Sequence, residues 1–101
     1  LQGGTGVDRL VGGNGNDAYN VDSTSDLVVE TSTGGTADTV FSLASSYTLS
    51  DFVENLTLQG SASINGTGNV RANVITGNAG ANTLNGGGGI DRLVGNAGND
   101  T

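Results

Sequence analysis

Four aspartates stand in the same kind of glycine-rich frame. Residues 3–11 (GGTGVDRLV) and 12–20 (GGNGNDAYN) both read Gly-Gly-x-Gly-x-Asp-x-apolar-x and end their glycine runs at Asp8 and Asp17, and Asp91 and Asp100 close similar frames near the other end. A tight glycine turn directs backbone carbonyls inward, and the closing Asp adds a carboxylate. Calcium takes about six to eight oxygen ligands of these two kinds. The frames therefore predict cation binding, with each turn supplying half of a site.

The residues after each Asp predict the element that positions it. Three residues with an apolar residue in the middle form a short strand whose middle side chain points to one face. Leu10, Tyr19 and Val28 follow this rule at steps of nine residues. A turn plus one strand buries too little apolar surface alone, so the units must stack. Two units, about 18 residues, then make one coil of a parallel β-solenoid.

Stacking decides which carboxylates meet. Successive units alternate between the two edges of the solenoid, so each turn stacks on the second turn after it, about 18 residues further along. Asp8 and Asp26 are the cleanest pair by this rule, although VDSTSD lacks the glycines, and we expect their site to be the best formed. Asp17 pairs with Asp38, displaced by an insertion after Glu30, which is a spare acid.

Asparagine replaces aspartate in later turns. Asn73 precedes Asp91 by two units and Asn82 precedes Asp100 by two units, which predicts mixed amide and carboxylate sites. Asn also tolerates left-handed turns and bonds to nearby backbone. The alternative is therefore that amide ladders close these turns without a metal.

We expect the chain to be one segment of a longer array of repeats. Residues 1–29 are calcium-type repeats, 30–59 are expected to carry longer strands with the insertion, 60–85 are Asn-type repeats, and 86–101 begin the next unit. This larger unit spans about 83 residues, because Asp8 aligns with Asp91, and Arg9 with Arg92. Within the second segment, Ser50-Asp51 is expected to be a turn, with a short helix over 50–54 as the alternative.

These nonapeptides resemble the RTX (repeats-in-toxin) family of secreted bacterial proteins, strongly in residues 3–20 and 86–101. The resemblance implies an all-β, right-handed parallel β-roll and export by a type I secretion channel as an unfolded chain. It also implies that carbonyls at alternate turn positions complete the calcium shell. The residues concerned are Gly3, Gly4, Thr5 and Gly6, with their counterparts Gly12, Gly13, Asn14, Gly15, Gly86 and Gly88.

Composition narrows the range of partners. Three Lys and Arg against ten Asp and Glu give a net charge of −7, which repels nucleic acid and anionic membranes. The chain has no His and no Cys, so it offers no Ser-His-Asp or Cys-His catalytic set and no disulfide. No apolar run approaches the roughly 20 residues of a membrane span.

The function expected is a non-catalytic Ca²⁺-binding module of a secreted or cell-surface bacterial protein. It would fold on calcium outside the cell and act as a folding aid or spacer, with neighbouring repeats of the same chain as its contacts. The alternative is a module that binds an alginate-like polysaccharide. An anionic sugar needs a basic stripe, for which the chain offers Arg9, Arg71 and Arg92. This alternative requires Arg9 and Arg92 to line up across coils; the other interpretation is that they are solubilising charges beside acidic loops. A glycosidase is not expected, because every well-framed Asp belongs to a turn.

Overall fold

The fold alternates short strands with polar turns. The computed structural model describes residues 6–30 and 37–95. These ranges contain strands of two to four residues and no helix. The strands are β1 (Arg9–Val11), β2 (Ala18–Val21), β3 (Leu27–Val29), β4 (Thr39–Ser42), β5 (Ser46–Thr48), β6 (Asn55–Leu58), β7 (Asn65–Thr67), β8 (Val74–Thr76), β9 (Leu84–Asn85) and β10 (Arg92–Val94).

All strand pairings are parallel, and they join alternate strands. The even-numbered strands form one five-stranded sheet in the order β10-β8-β6-β4-β2. The odd-numbered strands form a two-stranded sheet, β1-β3, and a three-stranded sheet, β5-β7-β9. The Tyr47 hydroxyl in β5 donates to the carbonyl of Asp26, just before β3, and so links these two sheets (3.2 Å). The chain is therefore the all-β parallel solenoid that the nonapeptides predict.

The register shows where the insertion lies. Asp8 and Asp26 are neighbours at the regular offset of 18 residues, whereas Asp17 and Asp38 are neighbours at an offset of 21. The next coil is shorter, since Asp38 neighbours Glu54 at an offset of 16. Residues 31–36, which hold the inserted residues, lie outside the described ranges.

The core is a ladder of the middle strand residues. Tyr19, Val40, Leu56 and Ile75 are register neighbours in the five-stranded sheet and are fully buried. Leu10 and Val28 pair in the same way on the opposite side. This confirms the inward face predicted for these positions. At the end of the described ladder, Leu84 is partly buried and Leu93 is exposed; Leu1 lies outside the described residues.

One expectation for residues 30–59, that of longer strands, is wrong. The strands there have the same length as the others, because β4 and β6 must match β2 and β8 residue by residue. The turn expected at Ser50-Asp51 is confirmed, and the alternative, a short helix over 50–54, is not formed. Asp51 accepts a hydrogen bond from the backbone N–H of Phe52, which has a φ of 67°, so the segment is a turn closed by a short polar side chain.

None of the residues that the structure describes form a helix able to cross a membrane.

Candidate metal centres

A polar residue directly precedes each strand of the five-stranded sheet. The set is Asp17, Asp38, Glu54, Asn73 and Asp91. On the opposite edge, Asp8 and Asp26 precede β1 and β3 in the same way. Since parallel strands stack in register, these side chains stack too. We call the first set the edge ladder.

Neighbouring rungs are joined by one recurring hydrogen bond. The backbone N–H of Asp17 donates to Oδ1 of Asp38 (2.7 Å), and that of Asn73 donates to Oδ1 of Asp91 (2.8 Å). Asp8 donates to Oδ1 of Asp26 in the same way (2.8 Å). Each carboxylate thus has one oxygen bound to the preceding turn. The second oxygen of Asp38 has no hydrogen-bond partner and is available for a cation, whereas that of Asp26 accepts from the N–H groups of Asp22 and Ser23.

The first acidic cluster contains Asp8 and Asp26 together with Asp22, and their carboxylate oxygens lie within 4.8 Å of one another. Burial opposes ionisation of Asp26, yet the backbone N–H groups of Asp8, Asp22 and Ser23 bond to its carboxylate and lower its pKa below the usual value. Desolvation and then the charge of Asp26 raise the pKa of Asp22, which is exposed. Asp26 is therefore a carboxylate that the turn itself stabilises in the charged form.

The second acidic cluster joins Asp17, Glu30 and Asp38, again with oxygens within 4.8 Å. Asp38 is fully buried and Glu30 is 8% exposed. The hydroxyl of Tyr19, at the end of the core ladder, donates to Oε2 of Glu30. Burial and then this hydrogen bond with Glu30 raise the pKa of Tyr19, so it remains a neutral donor.

Four oxygens in these two clusters fit a cation. Among the described residues, the buried side-chain oxygens and nitrogens without a hydrogen-bond partner are carboxylate oxygens of Asp8, Asp17, Glu30 and Asp38. A buried carboxylate oxygen without a donor is costly, and close like charges add repulsion. A hard cation removes both penalties, and oxygen is the donor that Ca²⁺ prefers. The donor set therefore suits the metal that the repeats imply.

Glycine makes room for the carboxylates. A Cβ on Gly12 would collide with the carboxylate of Asp17, and a Cβ on Gly86 would collide with that of Asp91. Gly6, Gly13 and Gly15 have φ between 83° and 100°, a conformation that other residues rarely adopt. Asn14 and Gly88 are exposed in the same turns. Gly3, Gly4, Thr5 and Asp100 lie outside the described residues, so their expected roles remain predictions.

Two asparagines that were not among the predicted ligands close the later turns. Asn69 donates through Nδ2 to the carbonyls of Ser50 and Val53 in the turn below (2.7 and 2.8 Å). Asn78 makes the same pair of bonds to Gln59 and Ala62 (both 2.9 Å). In the sequence the signal is the repeated pattern Gly-Asn-x-x-Ala-Asn at residues 68–73 and 77–82.

The amides of Asn73 and Asn82 are engaged within the protein. Asn73 accepts from the backbone N–H of Asn69 through Oδ1 and donates to the carbonyls of Val53 and Glu54 through Nδ2. Asn82 donates to the carbonyl of Ile64 and accepts from the N–H of Asn78. The geometry thus favours amide closure over a ligand role at these two positions, and the acidic clusters of the described residues do not include Asp91.

The row of arginines that the polysaccharide alternative requires is not formed. Arg9 is in β1 and Arg92 is in β10, which belong to different sheets, because an odd number of turn-strand units separates them. Arg71 bonds to Asp51 (2.9 Å) and stacks on the ring of Phe52 (4.1 Å to the centroid). A stripe of aligned cations for an anionic sugar is therefore absent from residues 6–30 and 37–95.

Comparison with known proteins agrees with this geometry. The model of the family described as RTX calcium-binding nonapeptide repeat matches residues 1–28 and 67–101 with four copies, which is more than half of the chain. The searches of curated proteins and of solved structures found no match to this chain. The matched residues include Asp8, Asp17, Asp26 and Asp91, each at the end of a turn that leads into a strand. The chain belongs to the RTX family of calcium-binding nonapeptide repeats.

Proposed function

We propose that this Ca²⁺-binding repeat module is non-catalytic and folds outside the bacterial cell, after a type I secretion system has exported it as an unfolded chain. There it acts as a folding aid or spacer for a larger secreted protein. The observation that supports this proposal is the set of unpartnered carboxylate oxygens on Asp8, Asp17, Glu30 and Asp38.

The charges make the fold dependent on a cation. Two carboxylates about 4 Å apart repel by about 1 kcal/mol in water and by about 4 kcal/mol at an effective dielectric constant near 20. Each cluster has three such pairs within 4.8 Å. The metal-free solenoid therefore loses much of the stability that its narrow core of single side chains provides.

Calcium reverses this balance only where it is abundant. A free concentration ten times the Kd adds about 1.4 kcal/mol for each site. Extracellular calcium modules have Kd values of about 10⁻⁴ to 10⁻³ M. Cytosolic calcium lies far below that range, so the chain stays largely unfolded before export and orders in the medium.

A calcium titration followed by far-ultraviolet circular dichroism tests the proposal. We expect a weak β signal in EDTA and a cooperative gain at millimolar Ca²⁺, with Mg²⁺ at the same concentration giving far less because its small octahedral shell fits poorly. Asp8→Asn combined with Asp17→Asn should raise the calcium midpoint severalfold. Asp51→Asn, which removes the same type of charge from an exposed turn, should leave it unchanged. A metal-free protein that is fully folded and indifferent to calcium would contradict the proposal.

A further inference from the structure

Glu30 is an acid that the nonapeptide pattern does not supply. Val11 and Val29 are register partners at the ends of β1 and β3, so Glu30 stacks on Gly12, the first residue of the turn after β1. The stretch that matches the family ends at residue 28 and resumes at 67, so both Glu30 and Asp38 lie outside it. This coil also carries the insertion, as the 21-residue offset between Asp17 and Asp38 shows.

The environment of Glu30 prepares it as a ligand. Its Oε2 atom accepts the hydrogen bond of the Tyr19 hydroxyl, whereas its Oε1 atom is buried without a partner. A Cβ on Gly12 would collide with the Tyr19 hydroxyl, so the glycine below is what leaves space for this hydrogen bond. A hydrogen bond to one oxygen of a carboxylate fixes the direction of the other, as is common for residues that bind metals.

The other two carboxylates of the cluster also have oxygens without a partner. Asp17 and Asp38 each have a buried Oδ2 without a partner, and Asp38 is 0% exposed. Together with Oε1 of Glu30 this gives three unpartnered oxygens in one cluster. The cluster of Asp8, Asp22 and Asp26 has one, because both oxygens of Asp26 already accept backbone hydrogen bonds and Asp22 is exposed.

We infer that Asp17, Glu30 and Asp38 form a three-carboxylate calcium site that fills before the Asp8–Asp26 site. Calcium affinity increases with the number of charged ligands and with the rigidity of the site. Each cluster has three carboxylates, but this one has three unpartnered buried oxygens against one, its carboxylates are more deeply buried, and Tyr19 holds Glu30 in place. The order of filling is then the reverse of the order that the regular spacing of the repeats predicts. This inference rests on the proposed calcium binding and adds a ligand to it.

Glu30→Gln tests the assignment, because a ligand and a structural residue respond differently. Gln has the same shape and still accepts from the Tyr19 hydroxyl, but it removes one of three repelling charges. In EDTA, we expect the variant to fold at a lower concentration of a stabilising osmolyte than the wild type does. In calorimetry, we expect the Kd of its tightest calcium site to be at least tenfold higher. A purely structural Glu30 would shift both measurements in the unfavourable direction.

Terbium luminescence assigns the lost affinity to one site. Tyr19 and Tyr47 are the two tyrosines of a chain without Trp, and each touches a different acidic cluster. In a Tyr47→Phe background, Tb³⁺ excited through Tyr19 reports the Glu30 site alone. In that background, Glu30→Gln should raise the half-saturating Tb³⁺ concentration at least tenfold. In a Tyr19→Phe background, where Tyr47 reports the site of Asp8 and Asp26, Glu30→Gln should change this concentration less than twofold.

Asp22→Asn is the matched control, since it neutralises the third acid of the other cluster. It should leave the tightest calcium event unchanged. The inference is overturned if Glu30→Gln leaves that event unchanged, or if Asp22→Asn weakens it more than Glu30→Gln does. A wild-type chain that binds no calcium at all would instead overturn the proposed function itself.

Discussion

At the scale of single residues, one atom decides how a turn is closed. Asp38 and Asn73 occupy equivalent rungs of the edge ladder, and each accepts a backbone hydrogen bond through Oδ1. The second terminal atom of Asp38 is an oxygen without a donor, whereas that of Asn73 is an NH₂ group that donates to two carbonyls of the coil below. The Asp38 rung therefore needs a cation, while the Asn73 rung satisfies the carbonyls itself.

Asn78→Asp should make a metal-free turn depend on calcium. The variant places an acceptor oxygen against the carbonyls of Gln59 and Ala62, which loses two hydrogen bonds and costs about 2 kcal/mol or more. We expect a smaller β signal in EDTA and recovery at millimolar Ca²⁺. Asn20→Asp, at an exposed strand position, adds the same charge and should alter neither quantity. Equal effects of the two substitutions would argue against closure by the amide.

The two faces of a strand should differ in how well they tolerate a buried or exposed carboxylate. Leu10 is 6% exposed and packs in the core, whereas Arg9 beside it is exposed. Leu10→Asp buries a carboxylate among apolar side chains and should destabilise the calcium-bound protein by several kcal/mol, roughly 3 or more. Arg9→Asp should stay within about 0.5 kcal/mol. Denaturant titration in Ca²⁺ measures both, and similar losses would contradict the inward position of Leu10.

At the scale of the elements, strand register and turn length are governed separately. The strands are short and alike because each must pair with the coils on both sides. The turns absorb the differences in length, as the offsets of 21 and then 16 residues around Asp38 show. One consequence is that acids from several coils accumulate along one edge, since Glu54 accepts from the backbone N–H of Asp38 beside the second cluster.

This accumulation predicts a pH dependence of the metal-free protein. Burial, followed by the charges of Asp38 and Glu30, raises the pKa of Glu54, although a backbone hydrogen bond from Asp38 opposes the rise. A carboxyl whose pKa is higher in the folded state stabilises the fold fully below its unfolded pKa and loses that contribution as the pH rises through the folded value. The β signal in EDTA should therefore increase as the pH falls from 7 to 5.

Glu54→Gln should reduce that increase, whereas Asp51→Asn, at an exposed turn position, should not. The lowered pKa of Asp26 acts in the opposite direction, but only below the usual carboxyl range near pH 4. Circular dichroism at fixed ionic strength measures the effect. An increase that persists unchanged in Glu54→Gln would show that Glu54 is not its source.

At the scale of the whole molecule, the solenoid is closed in two different ways. The coils around β1 to β4 carry both acidic clusters and, among the described residues, all of the buried carboxylate oxygens without a hydrogen-bond partner. The coils around β6 to β8 are closed by Asn69, Asn73, Asn78 and Asn82. Stability without calcium is therefore expected to be unevenly distributed along the chain.

Hydrogen exchange measured by mass spectrometry should reveal this distribution. In EDTA, the slowest exchange is expected in peptides covering β6 to β8, because their turns do not lose a ligand. Added Ca²⁺ should protect peptides covering β1 to β4 by a larger factor. The alternative outcome, an equal gain in protection along the whole chain, would show that the amide-closed coils have no stability of their own.

Local sequence alone determined the turn-strand unit, its inward apolar residue and the regular pairing of Asp8 with Asp26. The first two follow from glycine conformations and side-chain alternation within a single nonapeptide, and the pairing follows from a regular period of two nonapeptides per coil. Tertiary structure decided the features across coils that the regular period does not give: the place of Glu30 beside Asp17 and Asp38, the bonds from Asn78 to the turn below, and the separation of Arg9 from Arg92. The register after an insertion depends on how far each turn stretches, and only the packing of one coil on the next fixes that distance.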